Sequence, residues 1–458
     1  MRILILFIVL GSVCYAELRT WTSIVGTKVE AELVSLTGNQ VTLKTKAGKT
    51  LKLSLNKLSK ADQEFISSET SPTNPKKEEA PVSPKLKYHI EGDTVIIYSV
   101  ITSFRSGSGK LVLPATIEGR PVTRIGNHTF RRSTGFTSIT IPDSVTSIGY
   151  GAFGGCKSLS SITIGNSVTS IGEGAFRYCS NLTRITIPDS VTSIGDHAFL
   201  GCTGLTSITI GEGVTSIGND AFRGCASLTS ITLPDGVTSI EEGAFWDCTS
   251  LTTIEVGVGN VNYTVVNGVL FNKEKTVLFT YPAGKIGGNY NIPDTVTSIG
   301  RSAFAFCSSL TSVIIPESVT SIGEKAFEKF TGLTSITIPD SVTSIEEDAF
   351  SGCTGLTRIT IPDSVTSIGP LSFRGCISLK GITIPGSVTD LWDYAFASCT
   401  NLAEVTFLGD APKARGRKFT SGVGIFEDAP TTIYRKPEAK GWGETWGGRP
   451  VKLISEKP

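Results

Sequence analysis

The sequence predicts a mainly-β protein in which short stacked coils form a solenoid with brief helical or three-ten turns, preceded by a small β-domain. The phrase "ITIPDSVTSIG" occurs unchanged at 139–149, 185–195 and 359–369. Residues 19–66 lack this phrase and alternate apolar with polar side chains instead. Phenylalanine recurs every 23 residues in two series, which are Phe130, Phe153, Phe176, Phe199, Phe222 and Phe245, and then Phe304, Phe327, Phe350, Phe373 and Phe396.

Residues 1–16, "MRILILFIVLGSVCYA", predict a secretory signal peptide. Arg2 gives a positive start, an apolar run follows, and small residues precede a cleavage position after Ala16. The apolar run is too short to span a bilayer, which disfavours the alternative of a membrane anchor. No later apolar run reaches the length of a membrane span. We therefore expect an exported mature chain without a transmembrane segment, at the cell surface, in the periplasm or in the extracellular medium.

Residues 17–66 predict a small domain of short antiparallel strands. The segments "KVEAELVSL" and "VTLKTKAGKTLKLSL" alternate apolar and polar residues, the second around a glycine turn. This alternation places Lys44, Lys46 and Lys52 on the outward face. The segment "LSKADQEFI" is predicted to close the domain as one or two helical turns, with Ser59 as the N-cap residue.

The stretches "RTWTSIVGTKVEAELV", "VTLKTKAGKTLKLSL" and "LSKADQEFI" resemble the homology domain named after the yeast endocytic adaptor Sla. The resemblance implies an SH3-like β-barrel. Eukaryotic members bind short Asn-Pro-Phe-x-Asp peptides, so the resemblance also implies a peptide-binding role for which Lys44, Lys46 and Lys52 are candidates. Similar domains occur in exported bacterial proteins, for which the resemblance implies no ligand.

The rest of the chain divides by composition and by period. Residues 67–86 carry four prolines among Ser, Thr, Lys and Glu, with almost nothing to bury, which predicts a disordered linker. Beyond it we expect an N-terminal cap at 87–129, repeats at 130–401 and a C-terminal cap at 402–458. In the last cap, Trp442 and Trp446 are expected to shield the final coil.

An insert at 257–291 interrupts the 23-residue period. Asn267 and Gly268 lie between two short apolar runs, which predicts a β-hairpin, and "NKEK" supplies a second turn. We expect the insert to project from the solenoid. It is interpreted either as a tolerated insertion or as a local ligand contact.

Each position of the repeat L-x-x-I-x-I-P-x-x-V-x-x-I-G-x-x-A-F-x-x-C has a physical interpretation. Ile162 and Ile164 alternate about an outward Thr163, as in a strand buried on one face. Val168 and Ile171 are three residues apart, which favours an irregular turning segment over a second strand. The Ala-Phe pair is expected to pack a short helical or three-ten segment inward. One copy buries too few apolar groups to fold alone, so identical phrases recur because every coil presents the same interface to its neighbours.

The 23-residue period, the "IPDSVTSIG" turn and the "AF..C" ending over 125–401 resemble the BspA-like subclass of leucine-rich repeats. The resemblance implies a leucine-rich-repeat solenoid. Members are exported or surface proteins of bacteria and of some parasitic protists, and they are implicated in adhesion to host matrix proteins or to neighbouring cells. The resemblance therefore implies a protein partner.

The sequence gives little support for disulfide bonds, a metal site or an enzyme active site. Nine cysteines occupy one repeat position, where Phe330 replaces a tenth copy, so we interpret them as small core thiols, with occasional disulfides between adjacent copies as the alternative. No CxxC pair supports a metal site. No cofactor is expected, because phosphate-loop, paired-histidine and G-x-S-x-G motifs are absent. The cysteines are Cys156, Cys179, Cys202, Cys225, Cys248, Cys307, Cys353, Cys376 and Cys399.

The outward strand positions form a ladder of hydroxyl side chains. Their enrichment follows in part from the β-propensity of threonine on a solvated face. A flat, hydroxyl-rich concave surface also suits a protein or glycan ligand, and Arg184 and Arg358 interrupt its uniformity. The candidate ligand-binding residues are Arg184, Arg358, Thr186, Thr209, Thr232, Thr337 and Thr360.

The predicted function is non-catalytic binding of a matrix, cell-surface or envelope protein through the solenoid surface. The chain holds 42 Lys and Arg against 41 Asp and Glu, and this balance argues against a nucleic-acid partner. The alternative is an adaptor in which the N-terminal domain captures short peptides and the repeats act as a scaffold. A carbohydrate-active enzyme on a repeat scaffold is a third class, for which the sequence offers no acid pair.

Overall fold

The computed structural model describes residues 19–23, 27–37, 40–45, 49–60, 62–63, 85–101, 109–416 and 424–457. The predicted signal peptide at 1–16, most of the predicted linker and Lys46 lie outside these residues. The chain forms two compact units, Met1–Ala80 and Pro81–Pro458. Within the described residues, no helix has the length and apolar character needed to cross a membrane.

The first unit contains an antiparallel sheet of four strands in sequence order, and a three-ten turn at Leu55–Lys57 follows it. Ala31, Val41, Leu43 and Leu58 form its core. A bridge between Ser23 and Leu58 brings the segment after the last strand back to the first strand. The strands are β1 (Arg19–Thr22), β2 (Lys28–Thr37), β3 (Gln40–Thr45) and β4 (Thr50–Ser54).

The predicted N-cap at Ser59 is confirmed. The Asp62 backbone N–H donates to Ser59 Oγ at 3.2 Å, and that hydroxyl donates to Asp62 Oδ2 at 2.9 Å. The Asp62 carboxylate also accepts a bond from the Thr22 backbone N–H at 2.8 Å, which ties the helical turn to β1. A polar group in an otherwise apolar closure is thereby satisfied.

The second unit begins with a cap that supplies the first strand to each side of the solenoid. Strands β5 (Lys85–Glu91) and β6 (Thr94–Ile101) form a hairpin, β7 is Gly109–Val112, and β8 (Thr116–Ile117) pairs with β9 (Arg120–Ile125). β5 includes Lys85 and Leu86, the last two residues of the predicted linker. β7 pairs in parallel with the first repeat strand, and β6 pairs in parallel with β9.

Each coil contributes a strand to a series of parallel sheets, together called ladder A, at the predicted isoleucine positions. Paired strands within the repeats are 23 residues apart, so that Ile139 lies beside Ile162. Both isoleucines are buried, whereas the residues next to them on the strand, such as Ser161 and Thr163, face outward. After β7 the strands are Phe136–Thr140, Ser161–Thr163, Arg184–Thr186, Ser207–Thr209, Ser230–Leu233, Thr253–Val256, Asn289–Asn291, Ser312–Ile314, Ser335–Thr337, Arg358–Thr360, Gly381–Ile384, Glu404–Phe407, Thr432–Arg435 and Arg449–Leu453.

The expectation of an irregular segment between Val168 and Ile171 is wrong, because a second parallel ladder, called ladder B, forms there. Its short strands need only one inward residue each, and Ile148 pairs directly with Ile171. Val168 is buried on the turn that precedes the strand. After β9 the strands are Ser147–Ile148, Ser170–Ile171, Ser193–Ile194, Ser216–Ile217, Ser239–Ile240, Val277–Thr280, Ser298–Ile299, Ser321–Ile322, Ser344–Ile345, Ser367–Ile368, Asp390–Trp392 and Lys413–Arg415.

The turn that carries the phenylalanine has three-ten hydrogen bonds and no α-helix. Phe153 donates its backbone N–H to Ala175 of the next coil at 2.7 Å, whereas Gly154 donates to Gly151 of its own turn at 3.0 Å. This alternation requires a positive φ two residues before and two residues after each phenylalanine, as at Gly151 (57°) and Gly155 (73°). Every second peptide thus joins neighbouring coils, and the turn acts as a third ladder.

Phenylalanine rings stack along the interior in two series. Successive ring centroids from Phe130 to Phe245 are 5.1 to 5.8 Å apart with nearly parallel planes. The second series starts at Tyr281, which lies 5.5 Å from Phe304, and ends at Phe426 in the C-terminal cap. Offset stacking of this kind adds to the burial of each ring. The described residues accordingly contain two large apolar clusters.

The insert at 257–291 does not project from the solenoid, contrary to the expectation. Its hairpin is confirmed: strands Tyr263–Val266 and Val269–Asn272 pair antiparallel about a turn with both φ values positive. However, Leu270 and Phe271 are fully buried, and the following strand Val277–Thr280 continues ladder B. The insert therefore replaces a coil and links the two apolar clusters.

The C-terminal cap closes the second cluster with aromatic side chains, as predicted. Phe407 contacts Trp442 and Trp446 at centroid distances of 4.9 and 5.7 Å. Trp446 also contacts Phe426, the last ring of the stack, at 6.3 Å. The strand Thr445–Trp446 pairs with the last strand of ladder A, and a three-ten turn at Ile454–Glu456 follows.

Candidate functional site

The seven predicted ligand-binding residues all lie exposed on ladder A, but they form two groups and not one site. In the repeats before the insert (residues 130–256), called the first block, Arg184 pairs with Ser207 and Thr186 pairs with Thr209. In the repeats after it (residues 292–401), called the second block with the adjoining cap strands, Thr337 pairs with Thr360. The insert separates the blocks in the chain. The positions are Arg184, Thr186, Thr209 and Thr232 before the insert and Thr337, Arg358 and Thr360 after it.

Many hydroxyl groups of the repeat are used to hold the coils together. Thr169 Oγ1 donates to the Thr146 carbonyl at 3.1 Å, and Thr206 Oγ1 donates to the Thr183 carbonyl at 3.0 Å. Both bonds join equivalent positions of neighbouring coils, and the same pattern recurs along the described solenoid. These threonines flank ladder A and ladder B, and their role is structural.

The outward threonines of ladder A do not donate to carbonyls of neighbouring coils among the described residues. Within the described part of the chain, the side chains of Thr186, Thr209, Thr337 and Thr360 make no hydrogen bond to the protein. Thr232 is the exception, because its hydroxyl donates to Glu255 Oε2 at 3.2 Å. Exposed hydroxyls without an internal partner are available to a ligand.

The second block contains a groove of about 500 Å³ that includes two predicted residues, Arg358 and Thr360. Arg358, Gly381 and Glu404 occupy the same outward position on three successive coils, and Gly381 pairs with Glu404. A β-carbon at Gly381 would lie 3.0 Å from Glu404 Cγ, so the glycine gives the Glu404 side chain its space. Because Gly381 has no side chain, a gap remains between the Arg358 guanidinium and the Glu404 carboxylate.

The far wall of the groove is formed by Lys457, which follows the last strand of ladder A and a three-ten turn. Lys457 Nζ lies 3.0 Å from Glu404 Oε1 and 3.5 Å from Thr406 Oγ1. Arg358 has no ion-pair partner among the described residues. The groove thus presents the Arg358 guanidinium and the Asp363 carboxylate, hydroxyl groups, and the Glu404 carboxylate already paired with Lys457. This arrangement suits recognition of a polar surface that carries charged groups.

Sequence reasoning missed Gly381, Glu404 and Lys457. A signal existed for the first two, because the outward position that is Ser335 and Arg358 in earlier copies changes to glycine and then to glutamate. The contribution of Lys457 had no local signal, since it depends on how the cap returns to ladder A.

The first unit places Lys44 on β3 and Lys52 on β4, both exposed. The two strands pair antiparallel, with Lys52 beside Thr42 and Lys44 beside Thr50. The alternation predicted for this segment is therefore confirmed at these two lysines, which lie on the same face of the sheet. Their role in binding stays a prediction.

The cysteines are buried free thiols, as interpreted, but they are also hydrogen-bonded. Cys202 Sγ donates to the Phe176 carbonyl at 3.1 Å, and Cys225 Sγ to the Phe199 carbonyl at 3.3 Å. Burial raises the pKa of Cys202 and of Cys248 to about 12. No described group of three His, Cys, Asp or Glu side chains is placed to share a metal ion.

The comparisons agree with this architecture. The profile of the BspA type leucine rich repeat region matches residues 115–202, 169–290 and 286–403, in six copies. The profile of SLA1 homology domain 1 matches residues 14–73. No curated protein matches the chain.

Several solved structures are similar. A leucine rich cell surface protein from Faecalibacterium prausnitzii is 33% identical, with a TM-score of 0.59, over 72% of this chain and 96% of that one. A leucine-rich repeat protein from Eubacterium ventriosum is 26% identical, with a TM-score of 0.58, over 79% and 97%. The pneumococcal vaccine antigen PcpA, at 23% identity and a TM-score of 0.60 over 81% and 92%, shares the fold. By its repeat, its two apolar clusters and these matches, the chain belongs to the BspA-type leucine-rich repeat family.

Proposed function

We propose that this chain is an exported, non-catalytic binding protein that engages a matrix, cell-surface or envelope protein through ladder A of the second block. The observation that carries the proposal is the groove between Arg358 and Glu404, which brings a guanidinium, carboxylates and hydroxyl groups together on ladder A. Export is supported by the apolar segment at 3–10 and by the cell surface protein that shares 33% identity.

The groove favours binding over catalysis. Its charged groups are Arg358, Asp363, Glu404 and Lys457, and no histidine, cysteine or serine nucleophile lines it. Glu404 forms an ion pair with Lys457 at 3.0 Å. Arg358, the hydroxyl of Thr360 and the Asp363 carboxylate are groups of this lining available to a partner.

The test compares two equivalent arginines. Arg184 and Arg358 occupy the same repeat position, and each pairs with a serine of a neighbouring strand, but only Arg358 lines the groove. Binding of the full chain to immobilised fibronectin, fibrinogen, laminin and collagen is measured for Arg358→Glu and Arg184→Glu. We expect Arg358→Glu to weaken binding by about tenfold, because it removes the guanidinium and adds a carboxylate to a groove that already holds Asp363 and Glu404. Equal effects of both substitutions would contradict a role for the groove.

Protease treatment of intact native cells tests the predicted location. If the repeats face outward, an antibody to the second unit will lose its signal from living cells. Full protection until the outer barrier is opened would move the partner to the cell envelope and argue against adhesion.

A second candidate function rests on the first unit. The match of SLA1 homology domain 1 and the exposed Lys44 and Lys52 favour capture of a short acidic peptide, with the repeats as scaffold. An Asn-Pro-Phe-x-Asp peptide is titrated into the full chain and into a Lys44→Glu, Lys52→Glu variant. Binding that the double substitution abolishes supports the adaptor function, and absence of binding removes it.

A further inference from the structure

A second depression lies on the turn edge of the first block, away from ladder A. It has a volume of about 620 Å³ and is formed by the positions two and four residues after the phenylalanine in four successive coils. At the first of these positions large and small residues alternate, as Arg132, Gly155, Tyr178 and Gly201. All four have a positive φ.

Tyr178 is the main apolar surface of this depression. Its ring lies against Gly201 of the neighbouring coil: a β-carbon at Gly201 would be only 2.6 Å from Tyr178 Cδ1. Gly201 thus makes room for the ring, and Tyr178 remains 51% exposed. An aromatic ring held against a glycine and still open to solvent is a preformed platform, since little side-chain entropy remains to be lost on binding.

The charged groups around the ring are of one sign. Arg132 and Lys157 line the depression, and no carboxylate does. Neither cation has an ion-pair partner among the described residues. Ser180 and Thr203 line the same depression, and within the part of the chain that the structure describes their side chains make no hydrogen bond to the protein.

We propose that this depression binds an acidic sugar, a carboxylated or sulfated pyranose of a glycan. The apolar C–H face of a pyranose packs against the negative face of an aromatic ring. The arginine and the lysine bind the carboxylate or sulfate, and the hydroxyls of Ser180 and Thr203 exchange hydrogen bonds with those of the sugar. The volume lies in the range of small-ligand sites.

The second block lacks this combination. The equivalent positions there include Lys329, Gly352 and Gly375, so the glycines recur without an exposed aromatic ring beside them. Phe306 occupies one such position, but Lys329 Nζ lies over its ring at 4.7 Å and Trp246 contacts it at 6.1 Å. The acidic-sugar site is therefore specific to the first block, and it is independent of the groove proposed for protein binding.

The test is calorimetric titration of the full chain with a hyaluronan hexasaccharide, a heparin tetrasaccharide and 3′-sialyllactose, which distinguish uronate, sulfate and sialate. Neutral chitotetraose is the ligand control. Tyr178→Gly removes the ring without backbone strain, because Gly155, Gly201 and Gly224 adopt the same positive φ at equivalent positions. Lys157→Glu reverses one charge, and Lys380→Glu is the matched change on an exposed lysine of the second block.

We expect at least one acidic sugar to bind, with chitotetraose about tenfold weaker. Tyr178→Gly and Lys157→Glu should each lower the affinity by about tenfold or more, while Tyr178→Phe and Lys380→Glu leave it unchanged. Three results would overturn the proposal: no binding of any acidic sugar, equal binding of chitotetraose, or loss with Lys157→Glu alone. The last would show charge attraction without a platform.

Discussion

The stack of phenylalanine rings predicts a large loss of stability when one ring is removed from its middle. Phe350 is fully buried and lies 5.1 Å from Phe327 and 5.4 Å from Phe373, with planes within 3°. Replacement by alanine removes two stacked pairs, each contributing about 0.5–1.5 kcal/mol beyond area burial. It also leaves a cavity that the neighbours cannot fill.

The cavity persists because the backbone on both sides is fixed. Phe327 donates its backbone N–H to Ala349 at 2.8 Å, and Phe350 donates to Ser372 at 2.8 Å, so the adjacent coils cannot move together without breaking these bonds. Phe→Ala substitutions in cores cost about 3–5 kcal/mol, and a site that cannot collapse falls at the upper end, about 4–5 kcal/mol. Phe350→Leu keeps most of the volume and should cost about 1–3 kcal/mol.

The assay is urea unfolding followed by circular dichroism, with hydrogen exchange to locate the opened coils. Thr360→Ala is the control, because this exposed threonine makes no side-chain hydrogen bond within the described chain and should cost less than about 1 kcal/mol. Faster exchange is expected in the coils on either side of residue 350. A cost of Phe350→Ala below about 2 kcal/mol, or equal to that of Phe350→Leu, would refute the reasoning.

Two further predictions concern the thiols and the cap. The pKa of Cys202 is raised from its usual value of 9.0 to about 12 by burial, so the unfolded chain loses the proton first and the stabilising contribution declines as the pH rises from 9 toward 12. The free energy of unfolding from urea titrations should fall above pH 9, and Cys202→Ala should lessen that fall by about 1.4 kcal/mol per pH unit; a free energy of unfolding independent of pH up to 11 would contradict the prediction. Trp446→Ala exposes Phe407 and Phe426, so we expect rapid hydrogen exchange in the last coils and self-association in light scattering, with exposed Ile377→Ala as the control. Unchanged exchange in the coil of Phe426 would show that Trp446 does not shield the stack.

Some of the fold could be predicted because each coil repeats the same local rules. The period set by phenylalanine determines which residues become neighbours, and the alternation around Ile162 determines which of them face inward. Tyr281 lies 23 residues before Phe304 and could have been recognised as a ring of the stack. The substitution of tyrosine for phenylalanine and the insert before it obscured the period.

Other features depended on contacts that no local pattern encodes. Ladder B arises because the short Ser-Ile segments of adjacent coils face each other, although Val168 and Ile171 lack strand spacing. The insert joins the core because Asn260 and Tyr263 bind backbone groups of the preceding coil. The Asn260 side chain donates to the carbonyls of Pro234 and Val237, and Tyr263 Oη accepts from the Ile240 N–H.

By itself the sequence determined the repeat, its inward residues and the outward position of Arg184 and Arg358, since these follow from side-chain periodicity along one chain. Only the tertiary structure decided which of the outward residues share a site. Arg358 and Glu404 are 46 positions apart in the chain, and the stacking of the coils brings them to one groove. The segment after the last strand brings Lys457 to the same groove, where it pairs with Glu404. Tyr178 becomes a platform for the same reason, because Gly201 lies beside it only when the coils are stacked.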